Sequence, residues 1–450
     1  MTASPSPSTR VPELPARLDA VVVGGGLAGL AAAATLATSG RTVVLFEQSR
    51  DLGGRGATRL RDGYAFNRGA HAFYSAGPGA RVLQSLGVRP VGRAPDANGA
   101  FAVRGARTHT LPVGLVGMLT TGLLSLGGKL EAARIMAALP RLEPDAFASL
   151  PFGRFLDERV KDPAVRELVC ALARVLTYTH DVAGQSTGVV ITQARALEKG
   201  PVLYLDGGWQ ALVEQMRDVA RARGVHVVTG ERAARIEIDE SNGGRVVGVR
   251  LADGTHVATD HVVVAASPQV TASLVRDGKD ATLRGWVERA VPVRACCLDV
   301  ALRSLPRPYA RFALGMDRPT YLSVHSATAA LAPDGGALVH TIRYLAPHES
   351  PGDEGIAELE GLLDRLQPGW RDVLVARQDL PSITVTHDAA TAARGGLAGR
   401  PGPAVPHIDG LFVAGDWVGS RGHLADASLA SGQDAARSVL EHLGALALAA

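Results

Sequence analysis

Three glycines, Gly24, Gly26 and Gly29, stand in the spacing G-x-G-x-x-G, between a short apolar run, Asp19 to Val23, and an Ala/Leu-rich stretch, Leu27 to Thr38. A second apolar run, Thr42 to Phe46, ends on an acid, Glu47. Each type has a physical job at a dinucleotide diphosphate. Gly24 permits the tight turn out of a strand, Gly26 has no Cβ to hold the backbone off the phosphates, and Gly29 lets the helix lie close to the strand. Leu27 and Ala28 open the helix, where free N–H groups and the helix dipole favour negative charge. A carboxylate at Glu47 accepts hydrogen bonds from both adenosine ribose hydroxyls and repels a 2′-phosphate, which argues against NADP.

These residues need a parallel strand–helix–strand unit to position them. Asp19–Val23 and Thr42–Phe46 read as buried strands, Leu27–Thr38 as the helix between them, and Gly40 as its C-terminal stop. Further along, Pro78–Leu86 reads as a short helix, Phe101–Thr110 as a hairpin, and Leu111–Leu142 and Phe152–Leu176 as helical. A glycine turn at Asp206-Gly207-Gly208-Trp209 leads into a helix, Gln210–Arg223. Val225–Thr229 and His261–Ala266 read as strands returning to the first sheet, around a hairpin with glycine turns. Val291–Thr386 is strand-rich, with a helix inserted over Gly355–Leu366. Leu411–Ala414 is a last buried strand, and Asp426–Leu443 a closing helix. The fold expected is α/β (α+β overall): a Rossmann-like nucleotide domain with a discontinuous substrate domain of helices and a mixed or antiparallel sheet. The expected boundaries are a disordered tail over 1–16, the nucleotide domain over 17–95, 200–269 and 396–450, and the substrate domain over 96–199 and 270–395.

Composition removes several function classes. The 450 residues carry a formal net charge of +3 with acids and bases interspersed, and no basic block suggests nucleic acid. Three cysteines, Cys170, Cys296 and Cys297, make neither a disulfide framework nor a zinc spacing, which points to a reducing cytoplasm and no metal. The first sixteen residues lack the apolar core of a signal peptide. Leu111–Leu126 is apolar and uncharged but short for a span and interrupted by Pro112 and three glycines. It reads as a buried or substrate-lining helix, with peripheral contact to a membrane surface as the alternative.

Three separated motifs give the chain a family likeness. They are the Gly24–Glu47 unit continued by Gly53-Gly54-Arg55, the turn Asp206-Gly207-Gly208-Trp209, and Leu411-Phe412-Val413-Ala414-Gly415-Asp416 ahead of the last helix. Together the chain resembles the FAD-dependent amine oxidoreductase superfamily, which includes monoamine oxidases, protoporphyrinogen oxidases and phytoene desaturases. Asn67-Arg68-Gly69-Ala70-His71 gives it the look of the phytoene-desaturase-related bacterial members. The resemblance implies non-covalent FAD, held by Gly53, Gly54 and Arg55 at the diphosphate and ribityl, and by Ala233 at the adenine. It also implies Gly415 and Asp416 at the ribityl or phosphate, Ala425, Asp426 and Ala427 at the flavin N1/C2 edge, and Ala70 and His71 near the flavin.

An FAD protein of this kind takes a hydride from a substrate C–H and passes electrons to oxygen, a quinone or another acceptor. The sequence has no second dinucleotide motif. The amine oxidases often carry a lysine in a strand of the substrate domain. Here the comparable segment, Val293–Leu298, has none, which favours dehydrogenation or desaturation of a small, apolar substrate over amine oxidation. His71 and Tyr344 are the catalytic candidates. Tyr74, Tyr178, His180, His325 and His340 are further polar residues of the region, and His340 shares a strand face with Tyr344. A redox-neutral isomerase, or a binding protein on the same fold, remains an alternative.

Overall fold

The computed structural model describes residues 14–15, 18–95, 99–350 and 352–449. Apart from 14 and 15, the expected tail over 1–16 lies outside them. A five-stranded parallel sheet forms one half, in the order 226–229, 43–47, 20–23, 262–264, 411–413. Its central strands are Val- and Leu-rich and fully buried, as parallel strands covered on both faces must be. The helix Leu27–Thr38 packs on one face together with Trp209–Ala222 and the C-terminal helix, in a single apolar cluster. That close approach depends on Gly29: a Cβ there would stand 1.9 Å from the Gly24 carbonyl oxygen. A three-stranded antiparallel sheet, 233–239, 245–251 and 256–258, covers the other face.

The second half is a seven-stranded mixed sheet, ordered 374–386, 293–302, 337–344, 320–324, 312–315, 100–104, 107–110. All its pairings are antiparallel except that of 312–315 with 100–104. The helix Gly352–Leu366 covers one face. Helices between 114 and 199 lie over the other, in one cluster with Ala70.

Two sequence expectations need correction. Phe152–Leu176 is not one helical run but two helices, Phe152–Arg159 and Pro163–Thr177. Asp162 breaks them: its carboxylate caps the second helix by accepting from the Ala164 and Val165 N–H groups, ahead of Pro163 at the first turn. Leu111–Leu126 is not a buried helix. It folds as a short helix, Gly114–Thr120, and a turn leading into Leu126–Ala138, with several of its large apolar side chains exposed.

Candidate functional site

The glycine segments of the first motif meet each other. Gly53 N–H donates to the Gly25 carbonyl at 2.9 Å, and Gly26 and Gly53 form a parallel bridge. A Cβ on Gly26 would meet nothing nearer than 3.9 Å, and the same holds for Gly54. These two glycines therefore wall an open cradle and are not required by packing. Gly24, Leu27, Ala28 and Gly29 are the turn and first helical turn on its other side. Glu47 closes one end, its carboxylate accepting from the Gly25 N–H at 2.7 Å and the Ser49 N–H at 2.8 Å. The Glu231 N–H donates to the Glu47 carbonyl, which sets Ala233, buried at the start of its strand, beside the same end. A cradle without side chains, lined by N–H groups and ended by a fixed carboxylate, fits the adenosine diphosphate half of FAD.

Arg55 and Asp416, far apart in sequence, are brought into an ion pair at 2.6 Å. Arg55 also donates to the Val385 carbonyl and lies 3.2 Å from His387 Nδ1, which is itself 3.0 Å from Asp416. Burial alone would raise the Asp416 pKa, but the Arg55 guanidinium and His387 outweigh it and hold the carboxyl well below the usual range. Gly415 N–H donates to Ser431 Oγ, which ties this motif to the last helix. Ala425, Asp426 and Ala427 form that helix's first turn. The Asp426 carboxylate is turned away, accepting from the Gly79 N–H at 3.0 Å, so only its backbone is free for a cofactor. Burial pushes its pKa up to about 7.

The Asp206–Trp209 turn has a structural task. Trp209 N–H donates to Asn67 Oδ1 and Gln210 N–H to Thr58 Oγ1, so these two side chains cap the helix that follows. Beyond Asn67 the chain runs past the seven-stranded sheet. The Ala70 carbonyl accepts from Tyr178 Oη at 3.0 Å, and His71 Nδ1 lies 2.9 Å from the Gly69 carbonyl. The His71 ring sits 5.2 Å from Trp209. Burial, chiefly, lowers its pKa, so the imidazole is neutral near pH 7. Tyr344 packs edge-on to Tyr178 at 6.0 Å, and burial pushes its pKa up, so its hydroxyl keeps its proton. Among the described residues no hydrogen bond or ring contact joins His71 to Tyr344.

His340 and His325, named from the sequence, belong to a polar row across this sheet whose other members sequence reasoning missed. Register sets Gln378, Asp299, His340 and Ser323 side by side on four adjacent strands. His340 Nδ1 lies 2.8 Å from Asp299 Oδ1, and Gln378 Nε2 donates to Asp299 Oδ2 and to the Asn67 carbonyl. Tyr204 Oη reaches Ser323 at 3.1 Å, and its ring stacks on His325 at 3.7 Å. His325 Nδ1 and His340 Nε2 have no protein partner among the described residues, and burial holds His325 far below its ordinary pKa. The available signal was Asp299, a lone acid inside the buried strand Val293–Leu302. The other half of the same face is apolar, with Cys297, Leu314, Met316 and Ile342 in one cluster with Ala70 and Tyr344. Elsewhere, the buried Arg400 donates to the Gly422 carbonyl and lies 3.1 Å from His423. No group of three metal-binding side chains occurs among the described residues.

Residues 27–295 match the family described as flavin containing amine oxidoreductase. The chain is 24% identical to a coproporphyrinogen III oxidase of Propionibacterium freudenreichii, over 82% of each chain. It is 26% identical to a hydroxyneurosporene desaturase of Rubrivivax gelatinosus, over 54% of this chain and 52% of that one, so it spans about half of that relative. An oxidoreductase of Methanosarcina mazei superposes with a TM-score of 0.73 at 20% identity, covering 94% of this chain and 99% of that one. Cyclohexylamine oxidase of Brevibacterium oxydans gives 0.62 at 17% identity, over 95% and 100%; these two likenesses speak to fold alone. With the family match covering more than half its length, the chain belongs to the flavin-containing amine oxidoreductases and is an FAD-dependent oxidoreductase.

Proposed function

We propose that this enzyme dehydrogenates an apolar substrate, removing hydrogen from a saturated C–H unit, and that residues 96–199 and 270–395 form its substrate domain. The observation that carries the reading is the apolar half of one face of the seven-stranded sheet, where Cys297, Ile342 and Tyr344 cluster with Ala70 and no lysine intervenes. FAD, when bound, supplies a two-electron hydride acceptor. Gly26 and Gly54 would let the backbone approach the diphosphate, Gly24, Gly29 and Gly53 set the turns that carry them, and Glu47 would take the ribose. Arg55 and Asp416 would hold the ribityl side, and the N–H groups of the first turn of the last helix, Ala425–Ala427, would serve the flavin ring. The apolar wall excludes water from the reacting C–H. His71, neutral at pH 7, accepts the proton that leaves with the hydride, and Tyr344 orients the substrate through a hydroxyl that stays protonated.

Two relatives support this class over amines, one named a coproporphyrinogen oxidase and one a desaturase. The proposed electron acceptor is oxygen or a quinone, and the proposed location is cytoplasmic, at a membrane surface. The test is anaerobic mixing of the FAD-loaded protein with polyenes, porphyrinogens and amines. Bleaching of the oxidised flavin by a polyene supports the proposal; bleaching by a porphyrinogen alone, a polycarboxylate, supports dehydrogenation and overturns the apolar substrate. Bleaching by amines alone overturns it in favour of an amine oxidase, and a colourless protein with no releasable FAD overturns it in favour of a binding protein.

A further inference from the structure

We infer that the cavity between the helix Ala281–Arg289, the loop 388–401 and Trp417 is a binding site for a small oxyanion carrying two negative charges, of the chemistry of inorganic phosphate. The cavity measures about 120 Å³, and Arg289, Arg394 and Arg400 line it together with Asp388, Trp286 and Trp417. A site for a nucleotide or another molecule of that size needs about 300 Å³ or more, so the occupant is small. Neither the glycines of the diphosphate cradle nor Glu47 nor Arg55 lines it. The inference stands apart from the reading of the substrate.

The charge of the lining selects an anion. Arg394 and Asp388 cancel: the guanidinium donates to both carboxylate oxygens, at 2.9 and 2.7 Å, and to the Ala389 carbonyl. The Asp388 carboxylate also accepts from the Val291 N–H at 3.0 Å. Arg289 and Arg400 have no such partner, for among the described residues no acid lies within 4 Å of either guanidinium. Arg289 is exposed and gives the cavity its water-facing side. Arg400 is 6% exposed, and its hydrogen bonds go to groups without charge, the Gly422 carbonyl and His423 Nδ1, both at 3.1 Å. Its Nε has no partner among the described residues. Burial lowers the Arg400 pKa from its ordinary value, against the more distant charges of Asp416 and Asp388. A guanidinium held out of water without a counter-charge is unfavourable, and an anion beside it removes that penalty. Two uncompensated guanidinium groups on one cavity match a dianion, and their forked N–H groups fit the edges of an oxyanion.

The cavity borders the residues proposed to hold the ribityl side of FAD. Trp417 follows Asp416, Asp388 follows His387, and Arg400 holds Gly422 and His423 just ahead of the last helix, Ala425–Ala449. Its aromatic walls are fixed: Trp417 Nε1–H donates to the Ala266 carbonyl at 2.9 Å, and the Trp286 ring packs on Trp417 at 5.7 Å. An anion bound here neutralises the buried charge beside the turn that leads into the last helix.

The test is calorimetric titration of the FAD-loaded protein with inorganic phosphate at pH 7.5, with sodium chloride holding the ionic strength constant, and thermal unfolding over the same phosphate series. One phosphate is expected per chain, and the unfolding temperature should rise with phosphate concentration. Arg289→Gln changes an exposed side chain, so it should leave the fold and the bound FAD unchanged while weakening phosphate binding about tenfold. Arg400→Gln removes the buried charge and should weaken binding at least as much; where that variant fails to fold, Arg289→Gln decides. A parent protein that binds no phosphate in either assay overturns the inference, and so does binding that Arg289→Gln leaves intact. Phosphate that binds the apoprotein alone and is displaced by FAD overturns it too, because the anion would then occupy the diphosphate cradle.

Discussion

The diphosphate cradle and the buried row on the seven-stranded sheet solve the same problem, holding polar groups in place away from water, by opposite means. The cradle is made of backbone: Gly26 and Gly54 contribute space, the Gly53 N–H is tied to the Gly25 carbonyl, and Glu47 is fixed by two amides. The row is made of side chains: Asp299 joins His340 and Gln378 on neighbouring strands, with His340 Nε2 left over. A backbone site tolerates no added atoms. A side-chain site tolerates no missing ones, because each member left alone is a buried, unpaired polar group.

Substitutions separate the two. The largest effect is expected at Gly29, where helix and strand touch. Gly29→Val should cost more than about 3 kcal/mol of stability, measured by urea unfolding of the apoprotein, because the new Cβ meets backbone that cannot yield. In the row, Asp299→Ala leaves His340 and Gln378 without their acceptor. It should cost about 3 kcal/mol in the same assay while the refolded protein still retains FAD. Loss of FAD with unchanged stability would show that the two regions are not separate. Asp416→Asn removes the charge paired with Arg55 and should weaken FAD binding about tenfold, read by fluorescence of released flavin.

The shallowest expected effect, taken per pH unit, is a pH dependence that accumulates across its window. The folded-state pKa of Asp426 is raised from 3.8 to about 7, so its contribution to stability is full below pH 4 and is lost as pH rises toward 7. In that window the parent protein should lose up to about 1 kcal/mol per pH unit relative to Asp426→Asn. Parallel stability–pH curves for the two proteins would place the Asp426 carboxyl in contact with water.

The same contrast explains what the sequence could disclose. Glycine spacing, an acid at a strand end and the motif Gly415-Asp416 lie in short contiguous stretches, because backbone sites are built from local turns. The parallel strands and the helices Leu27–Thr38 and Pro78–Leu86 are legible for that reason. The row joins residues 299, 323, 340 and 378, and only register across four strands brings them together. Nothing local marks Gln378 as the partner of Asp299. The hairpin at 113–130 misled for another reason: its composition is that of a core helix. Which face turns to water was decided by Gly117, whose Cβ would meet the Leu111 carbonyl at 2.5 Å and which therefore packs inward.

The space beside Gly26 belongs to FAD and not to the fold. Calorimetric titration of the apoprotein with FAD, for the parent chain and for Gly26→Val, tests it directly. The two apoproteins should unfold at equal temperature, and the variant should bind FAD at least about 100-fold more weakly, a loss of about 2.7 kcal/mol. An unchanged affinity in a folded Gly26→Val protein would contradict it.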